Sequence, residues 1–226
     1  MRRACAAAAS AVLLLACCAS APLPRIYVLE SARPVPTDMS PGRDGDRIQV
    51  APIAIPDYLD STDLLMRQGA HELVASSTGR WGDRLSLGLR EALASDLRAR
   101  LPRDFITTTR DLDPLARQLL LTVSALDVWQ GGRCILTASW SISGKRGGTP
   151  ILVEDTFMIQ SGAGAGSGQS GAGAGSGQSG TGAGSGGDSI VVASMATAVA
   201  MLADRIAASV AAADQPTTAR ITSAAP

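Results

Sequence analysis

The sequence is poor in aromatic residues and carries no excess of charge of either sign. Phenylalanine, tryptophan and tyrosine make up 3% of the 226 residues, and 20 Lys+Arg are balanced by 20 Asp+Glu. Proteins that bind nucleic acid usually have a basic surface and aromatic side chains that stack on bases. The composition therefore argues against a nucleic-acid partner. The hydrophobic fraction of 46% is ordinary for a globular protein and excludes a chain that is disordered throughout.

Side chains that usually carry catalysis or bind metal are scarce. The sequence has one histidine, His71, and four cysteines, and they do not occur at the spacing of a zinc site. The motifs GxxxxGK[ST], HExxH and GxSxG are missing as well. Asp57, Asp60 and Asp63 lack the dense oxygen ligands of a calcium loop, so we interpret them as solvated loop carboxylates rather than cation ligands. We expect no enzyme activity, no cofactor and no metal.

The amino-terminal residues are typical of an exported lipoprotein. Arg2 and Arg3 precede an apolar run that is too short to span a membrane, which is the pattern of a signal peptide. The run ends in Leu14-Leu15-Ala16-Cys17, which resembles the bacterial lipobox, in which the cysteine is acylated and the chain is cut before it. We therefore interpret residues 1–16 as the signal peptide and residues 17–24 as a lipidated tether.

Acyl chains such as palmitate on Cys17 would anchor the protein, since stable attachment needs more than one chain. The next residue is Cys18, and not the aspartate that holds lipoproteins at the inner membrane in the best-studied bacteria. By this resemblance, the anchor lies in the outer membrane and faces the periplasm. The alternative is an ordinary secretory peptide, cleaved near Ala19 or Ala21, which would leave no anchor.

Hydrophobic patterns predict an α+β domain over residues 25–160. Residues 134–142 alternate between apolar and polar, with Cys134 on the apolar side, which is typical of a strand with one buried face. Residues 119–129 and 151–159 flank this strand across glycine-containing turns, so the three predict an antiparallel meander. Shorter strands are predicted at residues 25–30, 47–55, 63–67, 70–76 and near Phe105.

Two amphipathic helices are predicted to complete the domain. The first runs from about Arg80 to Leu101, and the second covers residues 188–213 with Asp188 as its cap. We expect a mostly antiparallel sheet with both helices packed on one face. The apolar stripes of the helices are formed by Trp81, Leu85, Leu89, Leu93 and Leu97, and by Val191, Met195, Val199, Leu202, Ile206 and Val210.

A glycine-rich repeat separates the meander from the second helix. Residues 161–187 hold thirteen of the 24 glycines, in three copies of a nine-residue Gly/Ser/Ala unit. Such a sequence cannot bury enough surface to offset the entropy of ordering it, so we predict a flexible linker. Its root-mean-square reach would be roughly 30 Å. Residues 214–226 are predicted to be a disordered tail.

Several segments together resemble the PqiC-like lipoproteins, which are auxiliary components of ABC-type lipid transport systems. The resemblance covers most of residues 25–213. It is carried by Ile26-Tyr-Val-Leu29 soon after the lipobox, by Ile48-Gln-Val-Ala-Pro-Ile-Ala-Ile-Pro-Asp-Tyr-Leu-Asp60, by Leu65-Met-Arg67, and by Arg80-Trp81.

This resemblance implies a function in the cell envelope. Such proteins are non-enzymatic outer-membrane lipoproteins that work with a periplasmic MCE protein and an inner-membrane permease and ATPase to maintain envelope integrity. Candidate residues for contact with a partner are Tyr58, Leu59, Arg67, Arg80 and Trp81, although Tyr58, Leu59 and Trp81 could instead pack in the core where a strand meets a helix. We also expect a homo-oligomer. The alternative function is an envelope assembly or structural lipoprotein without a transporter.

Overall fold

The described part of the chain forms eight strands and two helices in an α+β fold. This computed structural model describes residues 23–30, 45–110, 113, 115–143, 151–160 and 185–213. The predicted signal peptide, Cys17, the bulk of the repeat and the predicted tail lie outside these residues. The elements are β1 (Arg25–Tyr27), β2 (Arg47–Val50), β3 (Asp63–Arg67), β4 (Leu73–Trp81), α1 (Leu85–Arg100), β5 (Phe105–Thr107), β6 (Arg117–Val128), β7 (Arg133–Ile142), β8 (Ile151–Gln160) and α2 (Ser185–Ala213).

The strands form two sheets in which parallel and antiparallel pairs are mixed. One sheet has the order β1-β4-β3 and the other the order β5-β2-β6-β7-β8. Strands β6, β7 and β8 pair antiparallel, so the predicted meander is confirmed. Strand β1 is parallel to β4, however, and β2 is parallel to both β5 and β6. The α+β prediction is therefore confirmed, but the sheets are less antiparallel than expected, because parallel partners far apart in sequence leave no turn signal between them.

The buried face of β6 is apolar from Leu119 to Val128, after the buried Arg117 at its start. In β6, Leu119, Leu121 and Val123 are buried, and then Leu126 and Val128 are buried. The change from odd to even positions coincides with a shift in the β6–β7 register after Val123. A β-bulge adds one residue to a strand, so the shift keeps the leucine and valine side chains on the same face.

Cys134 in β7 is fully buried on this face, as its place in the alternating pattern predicts. Desolvation, together with the nearby negative charge of Asp127, raises the pKa of the Cys134 thiol to about 12. Because the thiolate is the reactive form, we expect a maleimide reagent to leave Cys134 unmodified in the native protein and to modify it quickly in denaturant. Mass spectrometry of the labelled protein measures this. Rapid labelling without denaturant would contradict the burial.

Helix α1 begins later than the sequence predicts. Arg80 and Trp81 do not open the helix, as we expected, but end strand β4. Trp81 shares the four-residue spacing of the apolar stripe, yet its backbone N–H donates to the carbonyl of Thr62 at 2.8 Å. Pairing with β1 and β3 holds the backbone extended here, and this tertiary interaction outweighs the helical pattern. The buried residues of the stripe within α1 are Leu85, Leu89, Leu93 and Leu97.

Helix α2 is the longer helix and packs against β7, β8 and α1. It begins at Ser185, within the last residues of the predicted linker. Among the described helices, only α2 is long and apolar enough to cross a membrane, over Gly186–Ala212, and half of its most apolar window is buried inside the domain. Its contacts are those of a core helix. The whole predicted stripe is buried: Val191, Met195, Val199, Leu202, Ile206 and Val210.

A charged cluster joins the two helices. The guanidinium of Arg100 in α1 donates to the Asp96 carboxylate at 2.8 Å, to the Asp204 carboxylate of α2 at 2.5 Å and to the carbonyl of Ala200 at 2.7 Å. The side chain of Asp96 is fully buried and that of Arg100 is 6% exposed. Desolvation lowers the pKa of Arg100, but bonds to Asp204 and Asp96 outweigh it, so the net shift is upward. The sequence analysis missed this cluster.

Candidate partner-contact site

The loop between β2 and β3 presents one of the predicted contact residues and buries another. Its turn is closed by a hydrogen bond from the backbone N–H of Leu59 to the carbonyl of Pro56 at 2.9 Å. Leu59 is 4% exposed, whereas Tyr58 is 50% exposed. The leucine therefore fixes the loop onto the core, and the tyrosine stands at the surface.

The same loop is hydrogen-bonded to the corner between β4 and α1. The backbone N–H of Leu85 donates to the carbonyl of Ser61 at 3.2 Å, next to the Trp81–Thr62 bond described above. Trp81 is 4% exposed and lines two small grooves. Trp81 and Leu59 thus pack in the core. The first groove is also lined by Tyr27, Val28, Leu29, Asp83, Leu85 and Gly88, and the second by Leu59, Asp63, Leu65, Leu85, Leu126, Val128 and Met195.

Asp60 supplies the N-terminal capping that α1 lacks in its own sequence. Arg84 occupies the N-cap position without a capping side-chain bond, and the first turn holds no acidic residue. The Asp60 carboxylate instead accepts the backbone N–H of Ser86 at 3.2 Å and forms an ion pair with Arg84. Asp57 and Asp63 are exposed, as expected for loop carboxylates, but Asp60 has a structural partner.

The pKa of Asp60 is lowered from its ordinary value by this arrangement. Desolvation acts to raise the pKa, but the hydrogen bonds from Ser86 and the positive charge of Arg84 together outweigh it. A carboxylate with a lower pKa in the folded state stabilises the fold fully above its unfolded pKa. That contribution is lost as the pH falls through the folded pKa.

Replacing Asp60 with asparagine is expected to lower the free energy of unfolding by about 0.5–1 kcal/mol at neutral pH, because the amide oxygen can still accept from Ser86 but the negative charge beside Arg84 and the helix N-terminus is lost. The difference between wild type and variant should shrink as the pH falls below the ordinary carboxyl pKa of 3.8. Urea denaturation at neutral and acid pH measures it, with the exposed Asp57→Asn as control. A difference in the free energy of unfolding that stays constant with pH would contradict a stabilising role of the Asp60 charge.

Arg67 is engaged inside the protein. Its guanidinium forms an ion pair with Asp127 of β6 at 2.5 Å and donates to the carbonyl of Ala70 at 2.9 Å. The two charged side chains are 18% and 21% exposed. Arg67 therefore holds the turn between β3 and β4 against β6. Arg80 has an exposed side chain on β4, where it lies between Ile26 of β1 and Asp63 of β3.

A second polar cluster, which the sequence analysis missed, fixes the start of α2 to β4. In the register of β3 and β4, Asp63 pairs with Arg80 and Leu65 pairs with Ala75. The step between the two pairs is two residues in β3 and five in β4, so β4 carries three extra residues. In this bulge the Ser76 hydroxyl donates to the Asp188 carboxylate at 2.9 Å, and the Thr78 hydroxyl donates to it at 2.7 Å. Asp188 is 2% exposed and lies in the first turn of α2 rather than capping it.

Gly79 is required by the same cluster. A Cβ atom at Gly79 would lie 2.6 Å from Oδ2 of Asp188 and 2.7 Å from the ring of Tyr27. We expect Gly79→Ala to lower the free energy of unfolding by about 1–3 kcal/mol, the usual cost of overpacking. Gly69→Ala is the matched control, because its Cβ would meet only Glu72 Cβ, at 3.9 Å. Equal melting temperatures for both variants would contradict the close approach.

The described residues contain no group of three or more His, Cys, Asp or Glu side chains that could hold a metal ion.

His71 is exposed in the turn between β3 and β4, and not in a strand as we expected. The turn interrupts the pattern because Arg67 bonds to the backbone carbonyls of Gly69 and Ala70. Of the predicted contact residues, Tyr58 and Arg80 have exposed side chains at the corner formed by the β2–β3 loop, β4 and the start of α1.

The sequence matches a known family over most of its length. The profile described as an ABC-type transport auxiliary lipoprotein component matches residues 27–207. The crystal structure of an uncharacterized protein is similar with a TM-score of 0.60 and 17% identity, covering 84% of this chain and 99% of that one. The crystal structure of protein XCC0632 from Xanthomonas campestris, a DUF330 protein, is similar with a TM-score of 0.55 and 14% identity, covering 83% and 95%. No curated protein sequence matches this chain.

Proposed function

Since the chain belongs to the family of ABC-type transport auxiliary lipoprotein components, we propose that it is a periplasmic lipoprotein anchored in the outer membrane. It serves an MCE-type lipid transport system that maintains envelope integrity, and it does so by binding rather than by catalysis. The observation that carries this proposal is the family match, which spans both sheets and most of α2.

The anchor is Cys17. The residue after it is not the aspartate associated with inner-membrane retention, which supports the outer membrane. Leu23, where the described fold begins, is six positions after Cys17 (23 − 17 = 6). The folded domain therefore works close to the membrane surface.

The MCE protein binds at the corner formed by the β2–β3 loop, β4 and the start of α1. Tyr58 and Arg80 are exposed there, and tyrosine and arginine are enriched among residues that dominate binding energies. Leu59 and Trp81 contribute by supporting the loop from beneath. Arg67 contributes through the neighbouring turn that it holds in place.

The protein works as a homo-oligomer. Among the described strands, β8 pairs with β7 alone, so no described strand pairs with its other edge along ten residues. An edge of this length is a template for pairing with another chain. Light scattering of the purified protein gives its mass in solution, and the mass of a monomer at all concentrations would contradict self-association.

The decisive experiment is capture of the transporter by the acylated protein. We expect the detergent-solubilised lipoprotein to co-purify with an MCE protein, its permease and its ATPase. Tyr58→Ala combined with Arg80→Ala should weaken binding to the MCE protein by about tenfold or more. His71→Ala, in an exposed turn, is the control and should bind as the wild type does.

An acylated, folded protein that captures none of these components would contradict the proposed function and favour an envelope lipoprotein without a transporter. If capture occurs but the double variant binds normally, the transport role stands and the assigned contact site is wrong. Circular dichroism of each variant establishes that the fold is unchanged.

A further inference from the structure

Strand β1 and the residues that flank it expose three large apolar side chains. Leu23, Ile26 and Val28 fall within six consecutive residues (23 to 28), and their exposed fractions are 92%, 62% and 58%. We call these three residues the β1 apolar patch. Tyr27 and Leu29, which alternate with Ile26 and Val28, pack against the core. Isolated exposed leucines or valines are normal on a protein surface, but an adjoining group of them marks a contact site.

The surrounding fold leaves this patch uncovered. Within the described part of its sheet, β1 is an edge strand whose single neighbour is β4. Gly82 lies beside the patch, because a Cβ atom there would be 3.3 Å from Ile26 Cγ2 and 3.5 Å from Val28 Cγ2. Because Gly82 has no side chain, it does not cover Ile26 and Val28, as a larger residue at this position could. The shallow groove between β1 and α1 continues the patch inward.

The position of the patch in the chain identifies what covers it. This step rests on the proposed acylation of Cys17. The six Cα-to-Cα steps from Cys17 to Leu23 span at most about 20–22 Å when fully extended, so the patch cannot move far from the bilayer. A covalent tether of this length gives a bilayer a far higher effective concentration at the patch than a free partner has.

An arginine beside the patch suits a phospholipid surface. Arg25 precedes Ile26 in β1, and its side chain is exposed. Guanidinium groups can bind phosphate oxygens of headgroups while neighbouring apolar side chains enter the acyl boundary. Asp83, at the rim of the adjoining groove, is the acidic residue that lines it.

We propose that the β1 apolar patch inserts into the headgroup region of the leaflet that holds the acyl chains of Cys17. The domain is then held against the bilayer in one orientation, with β1 toward the lipid, and does not swing freely on its anchor. The acyl chains supply attachment, and the patch supplies orientation.

The test uses the full-length acylated protein in vesicles of phosphatidylethanolamine and phosphatidylglycerol. A nitrobenzoxadiazole probe is attached to Ile26→Cys in a Cys18→Ser background, and in a second variant to Val28→Cys. The control probe is attached to Leu152→Cys, which is 77% exposed on β8 of the other sheet. We expect the emission at positions 26 and 28 to shift to shorter wavelength and to lose iodide quenching. The emission at position 152 should do neither.

Flotation of the vesicles separates the failure of this inference from the failure of the proposed function. If the protein floats but the probes at positions 26 and 28 are still quenched by iodide, the proposed orientation is wrong and the proposed anchor stands. Protein that does not float contradicts the anchor, and the inference falls with it. The same probes are also measured in Cys17→Ala protein without lipid. If they are protected from iodide there, and more so at higher protein concentration, a second copy of the protein covers the patch and the bilayer contact is wrong.

Discussion

Cys17→Ala is expected to release the protein completely from the membrane. The Cys17 thiol is the acylation site that we propose, and acyl chains contribute roughly 0.8 kcal/mol per buried methylene. Nothing else in the described chain can replace that energy, because α2 packs into the domain and the β1 apolar patch holds only three side chains. Metabolic labelling with a radioactive fatty acid, followed by membrane fractionation, measures both acylation and attachment.

Two outcomes of this experiment would contradict the anchor. The first is undiminished label on the Cys17→Ala protein. The second is a wild-type protein that carries no label and is cleaved near Ala19 or Ala21, as an ordinary secretory peptide would be. Cys5→Ala is the control, since residue 5 lies in the segment that cleavage removes and its loss should leave attachment unchanged.

Arg100→Ala is expected to cause the largest loss of stability among single changes outside the apolar core. It leaves the fully buried Asp96 carboxylate without the guanidinium described above, and removing one member of a buried pair typically costs about 3–5 kcal/mol. It also removes the bonds from α1 to Ala200 and Asp204, so α2 loses its polar attachment to α1. The melting temperature should fall by roughly 6–20 °C for a chain of this size.

Arg205→Ala is the matched control for this prediction. Arg205 pairs with Asp155 at 3.0 Å, but its side chain is 63% exposed, so its loss should change the free energy of unfolding by less than about 1 kcal/mol. Chemical denaturation of both variants gives the comparison. If Arg100→Ala and Arg205→Ala have the same stability, burial of the Arg100 cluster does not contribute as we expect.

Much of the fold could be predicted because the informative signals are local. The alternation in β7 and the glycine-containing turn before it predict the meander, and the spacing from Leu85 to Leu97 predicts α1. The resemblance to the PqiC-like family is confirmed by the family match over residues 27–207. The start of α1 was placed too early because Trp81 continues the same spacing, while its backbone is held in β4 by partners that the pattern does not reveal.

The candidate site was less predictable because exposure depends on tertiary contacts. Tyr58 and Leu59 are neighbours in sequence, yet one is half-exposed and the other buried. The bond between Ser76 and Asp188 joins residues 112 positions apart, and no local pattern announces it. One signal was available: Asp96 lies beside Leu93 and Leu97 of the apolar stripe, and it has an arginine four residues later, at the spacing of an ion pair within a helix.

The parallel pairings also determine how the chain folds. Arg25 pairs with Gly79, Arg47 with Phe105 and Ile48 with Arg117, so the partners are 54, 58 and 69 residues apart (79 − 25, 105 − 47 and 117 − 48). Each pairing requires a long loop to close before its hydrogen bonds can form, and domains dominated by such contacts fold in milliseconds to seconds rather than microseconds. The meander can form early from neighbouring strands, whereas β1 and β2 must wait for the chain that follows them. Stopped-flow refolding should therefore be slow. Until β2 pairs with it, the edge of β6 is exposed to other chains.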